Sequence, residues 1–414
     1  MATEPRSHAE PFQRNAFQET VLGLEYTRVP GREPDIFSRA CVTSFAEADW
    51  TRYGYEFTQV FETPVLQEIA VLEGLPYDDL ALLRHRPTAA TRELGDALDH
   101  RADLPLVGLV TLASALVSIV RLELATDVLA LAAGRVRDDR DRFEVAWLDF
   151  IVANRFDELD RSAAAFATMR AAITAGAVPP GRALDACTQA VVWYLKRKEV
   201  SVDDFRWSVK VGSAITDRLG ADGLAGISSW YRGLAMLPAA KGMPAKTREY
   251  MEQARSAAEE TVRVRPRAYE LNTIKTYHES SLKEHMYVTG DFDAAVAAGR
   301  ALIELDPAWS VSYGELAEAY VRFGHPREAA ELYDAAVAVG QPYIGHHLLK
   351  SASCWEKVGE PGAALAAYER LAGLVPGNVE VLSAGLRCAR HTAHPSAASF
   401  ERALERAEQA QAVS

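Results

Sequence analysis

Cysteine is scarce in this 414-residue chain, with four at 41, 187, 354 and 388. They are too few and too scattered for a disulfide framework. Positive charge is in deficit as well. Lys and Arg total 45 against 57 Asp and Glu, a net charge of -12. A protein held by phosphates shows a basic footprint, so no nucleic-acid partner is expected. Long uncharged runs are also missing. Leu104–Val120 carries no charge but then meets Arg121, Glu123 and Asp127, and it sits at the short edge of the roughly 17–25 residues a bilayer needs. It reads as a buried helix, and no membrane partner is expected. The stretch Met1–Asn15 has no basic segment leading into an apolar core. A secretory signal is therefore not expected, and the cytoplasm is the default compartment.

Catalytic signatures are equally thin. There is no Gly-rich phosphate loop, no G-x-S-x-G elbow and no paired-carboxylate signature above background. Gly220, Gly223 and Gly226 lack both the dinucleotide spacing and the preceding strand, so they read as a loop between helices. His278 and His285 are seven residues apart, about 10.5 Å of helical rise, too far for one metal. Cys388-x-x-His391-x-x-His394, with Cys354 as a fourth group, is a weak zinc pattern. Those cysteines read instead as small core hydrophobes, and neither a metal nor a cofactor is expected. The mixed charge run Arg135–Glu144 reads as a solvated turn or helix start.

What the sequence does contain is helix and repetition. Apolar residues make up 49% and charged residues 25%, an ordinary globular balance that excludes wholesale disorder. Alanine is abundant and arginine outnumbers lysine, a bias common to GC-rich genomes that also favours helix. Strand signals are scarce. Towards the C-terminus Gly290, Gly324 and Gly359 recur at steps of 34 and 35, as do Ala295, Ala329 and Ala364. Tyr333 recurs as Tyr368, and Pro307 and Pro376 close units 69 residues apart. Leu316, Ala317 and Tyr320 put an apolar face on a first helix, and Gly324 ends it. Pro326 opens a second helix, where Ala329 and Ala336 allow close approach around Tyr333. One such hairpin cannot bury its own apolar face, so neighbours must stack.

These residues resemble the tetratricopeptide repeat. Tyr313, Leu316, Ala317, Tyr320, Gly324, Ala329, Tyr333 and Ala336 match its order. The next unit supplies Leu348, Ala352, Trp355, Gly359, Ala364, Tyr368 and Pro376. A looser first unit has Leu282, Met286, Gly290, Ala295 and Pro307, with Lys283 at the usual small position and Gly299 at an aromatic one. A fourth unit begins near Val379 and matches mainly through Ala398, with Glu401, Arg402, Glu405, Arg406 and Glu408 suited to a polar end cap. The resemblance covers about Thr276 to Gln411.

The expected fold is all-α: a right-handed helical-hairpin solenoid, a TPR-like superhelix with an N-terminal helical subdomain. Residues 1–100 form that subdomain, with a loop at Arg28–Pro34, aromatics from Trp50 to Phe61 and a helix start at Thr63-Pro64. Residues 101–270 hold degenerate hairpins, broken at Val178–Gly181 and Lys241–Pro244, with an apolar stripe at Trp207, Val211 and Ile215. Residues 271–414 hold the clear repeats and a capping helix. The resemblance implies a concave groove lined by first helices, and carries over to Tyr277, Glu284, Tyr287, Glu318, Arg322, His346, Lys357, Arg387 and Arg390. The leading expectation is a non-catalytic scaffold holding a protein or peptide there, with an acidic part toward Lys357, Arg387 and Arg390. Two alternatives stand beside it. One is a peptide-sensing regulator, since some bacterial regulators have this layout. The other is an enzyme or tailoring factor with its site in residues 1–270, for which no motif speaks.

Overall fold

Helix formers dominate the chain and its breakers sit at regular intervals, so a series of short helices follows directly. The computed structural model describes residues 97–413, apart from 119–121, 157, 197–200, 221–222, 265–267, 306–309 and 340–343. The expected loop, aromatic stretch and helix start before residue 97, with Cys41 and Pro307, lie outside the described residues. Among the described residues there is no strand.

Consecutive helices pair as hairpins. These are α1 (Leu106–Ser118) with α2 (Leu122–Ala133), α3 (Asp139–Arg155) with α4 (Leu159–Thr174), and α5 (Pro180–Lys196) with α6 (Val202–Thr216). Then follow α7 (Leu224–Ala239) with α8 (Pro244–Val264), and α9 (Ala268–Glu284) with α10 (Phe292–Leu305). The last are α11 (Ser310–Arg322) with α12 (Pro326–Val339), α13 (Ile344–Lys357) with α14 (Pro361–Leu374), and α15 (Val379–His391) with α16 (Ala397–Val413). Substantial packing links helices no more than two apart in the chain. That is the signature of a solenoid, in which each unit leans only on its neighbours.

The boundaries have local causes. Prolines open α5, α8, α12 and α14, where the missing N–H costs nothing. Asp138 accepts from the Asp141 amide at 2.8 Å to start α3, and Asn378 from Val381 at 3.0 Å to start α15. The charge run Arg135–Glu144 is thus a turn and a capped helix start. Gly290, Gly324 and Gly359 end their helices with φ of 67°, 85° and 76°, in the left-handed region that favours glycine. The next turn, 34 residues after Gly359, places Ala393 there with φ 52°.

Small residues set the spacing between helices. Ala295, Ala329 and Ala364 are fully buried, with Tyr333 and Tyr368 beside them. The fourth unit departs from the sequence expectation: Ala398 is exposed and does not serve as its small contact. Gly385 does so instead, because Phe400 lies against it so closely that a Cβ would fall 2.4 Å from the ring. Gly299 replaces the expected aromatic for the same reason, since a Cβ there would sit 2.6 Å from Leu316. The polar cap on α16 is exposed as expected at Glu401, Arg402, Glu405, Arg406 and Glu408. Leu104–Val120 yields α1, which buries Leu109, Leu112 and Leu116. No described helix is long and apolar enough to cross a membrane.

Two substitutions in the last hairpin have opposite expected signs. Gly385→Ala drives a methyl into the Phe400 ring and costs about 1–3 kcal/mol, against the usual gain from Ala in a helix. Ala393→Gly relieves the left-handed turn and gains about 1 kcal/mol. Thermal melts of both variants read the two signs directly, and a stabilising Gly385→Ala would contradict this packing.

Candidate functional site

The odd-numbered helices turn one face inward. α1 packs on α3, α5 on α7, α7 on α9 and α9 on α11, besides their hairpin partners. Val311 of α11 also packs against the core built by α1 to α5. The arc from α1 to α11 therefore bends back on itself and encloses a channel of about 1470 Å³. Each wall shows a helical period: Val107, Val110 and Ser114 on α1; Arg182, Asp185, Gln189 and Val192 on α5; Ala225, Ser229, Arg232 and Met236 on α7. Val107 is 72% exposed, an apolar side chain presented to the channel and not to a core.

Two charged networks brace the wall. In the first, Arg182 pairs with Glu144 at 2.7 Å and Asp185 at 3.4 Å. Its guanidinium lies over Trp147 at 4.8 Å and Phe143 at 5.5 Å, so cation–π attraction adds to the ion pairs. Burial pushes the Asp185 carboxyl up to about 6 in spite of Arg182. In the second, Arg232 donates to the Thr276 carbonyl at 3.1 Å and to Ser280 Oγ at 3.3 Å. Lys275, Glu279 and Lys283 recur at every fourth residue of α9. Lys283 pairs with Glu315 and, at 2.8 Å, with Glu318. Burial opposes the Lys283 charge, but these two carboxylates raise its pKa above the ordinary range.

α9 then runs into a π-helical turn, His285–Thr289, a feature frequent at functional sites. Just before it, the Glu284 side chain is only 2% exposed, with Oε2 2.9 Å from Arg248 Nη2. Neither oxygen accepts an aligned hydrogen bond among the described residues. Arg248 divides itself among Glu284, Glu252 at 3.4 Å and His285 Nε2 at 2.7 Å. Arginine only donates, so Nε2 accepts, which makes His285 neutral with its proton on Nδ1 toward Thr289. Burial pushes Glu284 up to about 7, against the pull of Arg248.

The nine groove residues expected from the sequence scatter in their placement. Glu284 and Tyr287 line the channel. Tyr277 is buried at 4% exposure in the packing of α7, α8 and α9, so it offers no surface to a ligand. Tyr287, Glu318 and Arg322 come together: the Tyr287 hydroxyl donates to Glu318 at 2.7 Å, and the Arg322 guanidinium lies 4.3 Å over the Tyr287 ring. Burial works against the Glu318 charge, yet Lys283 and Tyr287 hold its carboxyl below the usual range. His346 and Lys357 are exposed on α13. Arg387 pairs with Glu356 at 3.1 Å and Arg390 with Glu401 at 2.6 Å. These two bases are thus neutralised from within, which weakens the expected acidic anchor. The channel itself lies mainly upstream of residue 276. Arg182, Glu144, Asp185 and Arg232 were missed. Their available signal was polar residues at helical spacing on otherwise apolar helices. Cys354 and Cys388 are buried in apolar clusters.

No protein-family profile matches the chain, and no curated protein matches it in sequence. Among solved structures it is similar to PilF of Pseudomonas aeruginosa, at 18% identity over 57% of this chain and 99% of that one, TM-score 0.36. It is similar also to Acl4, described as an assembly chaperone of RpL4, at 14% identity over 70% of this chain and 97% of that one, TM-score 0.37. A TPR repeat-containing protein of Cytophaga hutchinsonii is 13% identical over 70% of this chain and 94% of that one, TM-score 0.29. The pairing of consecutive helices is what places this chain among helical-hairpin solenoids.

Glu284 makes a test of the channel's electrostatics. The folded state holds its proton more tightly than the unfolded chain, so its contribution is full below about pH 4.5 and is lost as pH rises to about 7. Glu284→Gln removes that loss. The variant should melt with wild type at pH 4.5 and above it at pH 8, by at most about 3 kcal/mol. An equal difference at both pH values would contradict the buried, underpaired carboxylate.

Proposed function

We propose that this chain is a non-catalytic binding scaffold that holds a polypeptide along its concave channel. The observation that carries the reading is the channel wall itself. Ala225 shares one face of α7 with Ser229 and Arg232, leaving room for a backbone and polar groups to meet it. A volume of about 1470 Å³ exceeds the range of about 300–1,000 Å³ usual for small-molecule pockets. It suits several residues of extended chain. The later repeats would continue the path through Tyr287, Glu318, Arg322 and His346 to Lys357, with Arg387 and Arg390 held by their own carboxylates.

Convergent polar groups are also what an enzyme in this half of the chain would need. Here the strongest of them, Arg182, Glu144 and Lys283, are committed to ion pairs within the protein. No histidine or cysteine among the described residues lines the channel. Binding is therefore favoured over turnover.

Site-specific photo-crosslinking in the native cell tests the proposal. A photoreactive residue at Ala225 or at Lys357 should capture the same polypeptide, while one at Glu331, exposed on α12, captures none. Equal capture from all three positions, or capture from Glu331 alone, would count against a channel-bound partner.

A further inference from the structure

The polypeptide reading leaves open what the channel selects, and the corner where α9 passes into its π-helical turn bears on that. The turn covers His285–Thr289 and closes with the Gly290 N–H bonded to the His285 carbonyl. Such turns are rare inside helices and frequent at functional sites. Tyr287 sits within it, lines the channel and reaches across to α11. Its exposure is 52%. The aromatics that fill the repeats behave differently, since Tyr313, Tyr333 and Tyr368 are all buried.

An exposed ring with no task would be free to turn, yet α11 holds Tyr287 at two points. Its hydroxyl donates to Glu318 at 2.7 Å, and the Arg322 guanidinium lies over the ring at 4.3 Å. Arg322 is itself fixed, because its Nε donates to the Met286 carbonyl near the helix end, where carbonyls run short of intrahelical donors. Glu318 is fixed in turn by Lys283 at 2.8 Å. One face of the ring is thus covered and its polar tip is occupied. The surface left open is the other face and the edge. A ring immobilised beforehand loses little entropy when a guest stacks on it. Charge decides which guest that is. Lys283 and Arg322 balance Glu315 and Glu318 here, so the corner has no net charge for an ion to answer. Arg322 already draws on the π electrons from behind, and a second cation in front would face it across the ring. An uncharged aromatic ring meets no such repulsion and gains the pairing of two π systems.

We infer that Tyr287 is a stacking platform for an aromatic side chain of the bound polypeptide, with Arg322 and Glu318 holding its ring in place. The inference rests on the channel reading above and names what the path prefers at the corner between α9 and α11. It gives a reason for a ring that α11 pins and yet leaves half exposed, which packing alone does not supply.

The test is selection of a random twelve-residue peptide display library on the immobilised full-length chain, read by sequencing. Wild type should enrich Trp, Tyr or Phe at one fixed position of a shared motif by about threefold to tenfold, the range expected of one aromatic pair. Tyr287→Leu, which keeps apolar bulk without a π face, should lose that preference and retain the rest of the motif. Tyr287→Phe, which keeps the ring and gives up only the hydroxyl bond to Glu318, should retain most of it. Melting curves of both variants should show them folded. A shared motif with no aromatic position, the same preference in Tyr287→Leu, or its loss in Tyr287→Phe overturns the platform and leaves the channel standing. If wild type selects no shared motif, the platform and the channel reading fail together.

Discussion

Everything in this molecule depends on how closely its helices can approach. At several interfaces a residue with little or no side chain faces a large one. Leu316 presses on Gly299, Trp230 on Gly212 and Phe400 on Gly385, each at a distance that leaves no room for a Cβ. Between them Ala295, Ala329 and Ala364 do the same work less tightly. Burying one such large side chain stabilises by about 1.5–3 kcal/mol, but only if the opposing backbone comes near enough to exclude water. Alanine-rich composition is thus part of the mechanism of stacking.

Close stacking has a geometric consequence. When every hairpin leans on the next in the same way, small rotations accumulate and the first helices turn toward a common interior. The contact of Val311 with the core of α1 to α5 closes that arc. Charges on the inner face are then partly cut off from water. They respond by pairing, as Arg182 does with Glu144 and Asp185, or by shifting toward neutrality, as Glu284 does. The wall is braced where such pairs lock it.

The helices and their turns were legible because they are local. Gly324, Pro326, Gly359 and the 34–35-residue step depend on backbone preferences that any reader of the chain can apply. The stacking was legible only in outline. Gly299 and Lys283 looked like departures from the repeat, and each has a reason that lies in another unit: Leu316 fills the first position, and Glu315 with Glu318 answers the second. Tyr277 seemed to face the groove because the repeat pattern says so, whereas the packing of α7 to α9 buries it. The channel itself was hidden, since it is assembled from seven helices whose inward positions share no motif and become neighbours only after the arc closes.

The central claim is that one face of α7 borders an open interior while the adjacent positions are sealed in packing. Ser228 is fully buried, and Ser229 beside it lines the channel. In a Cys41→Ser background, with Cys187, Cys354 and Cys388 buried, the rates of labelling Ser228→Cys and Ser229→Cys with a small maleimide read that difference directly. The account predicts rapid labelling at 229 and strong protection at 228. Equal protection of both in folded protein would mean that the channel is filled by the chain itself, and the binding account would fall.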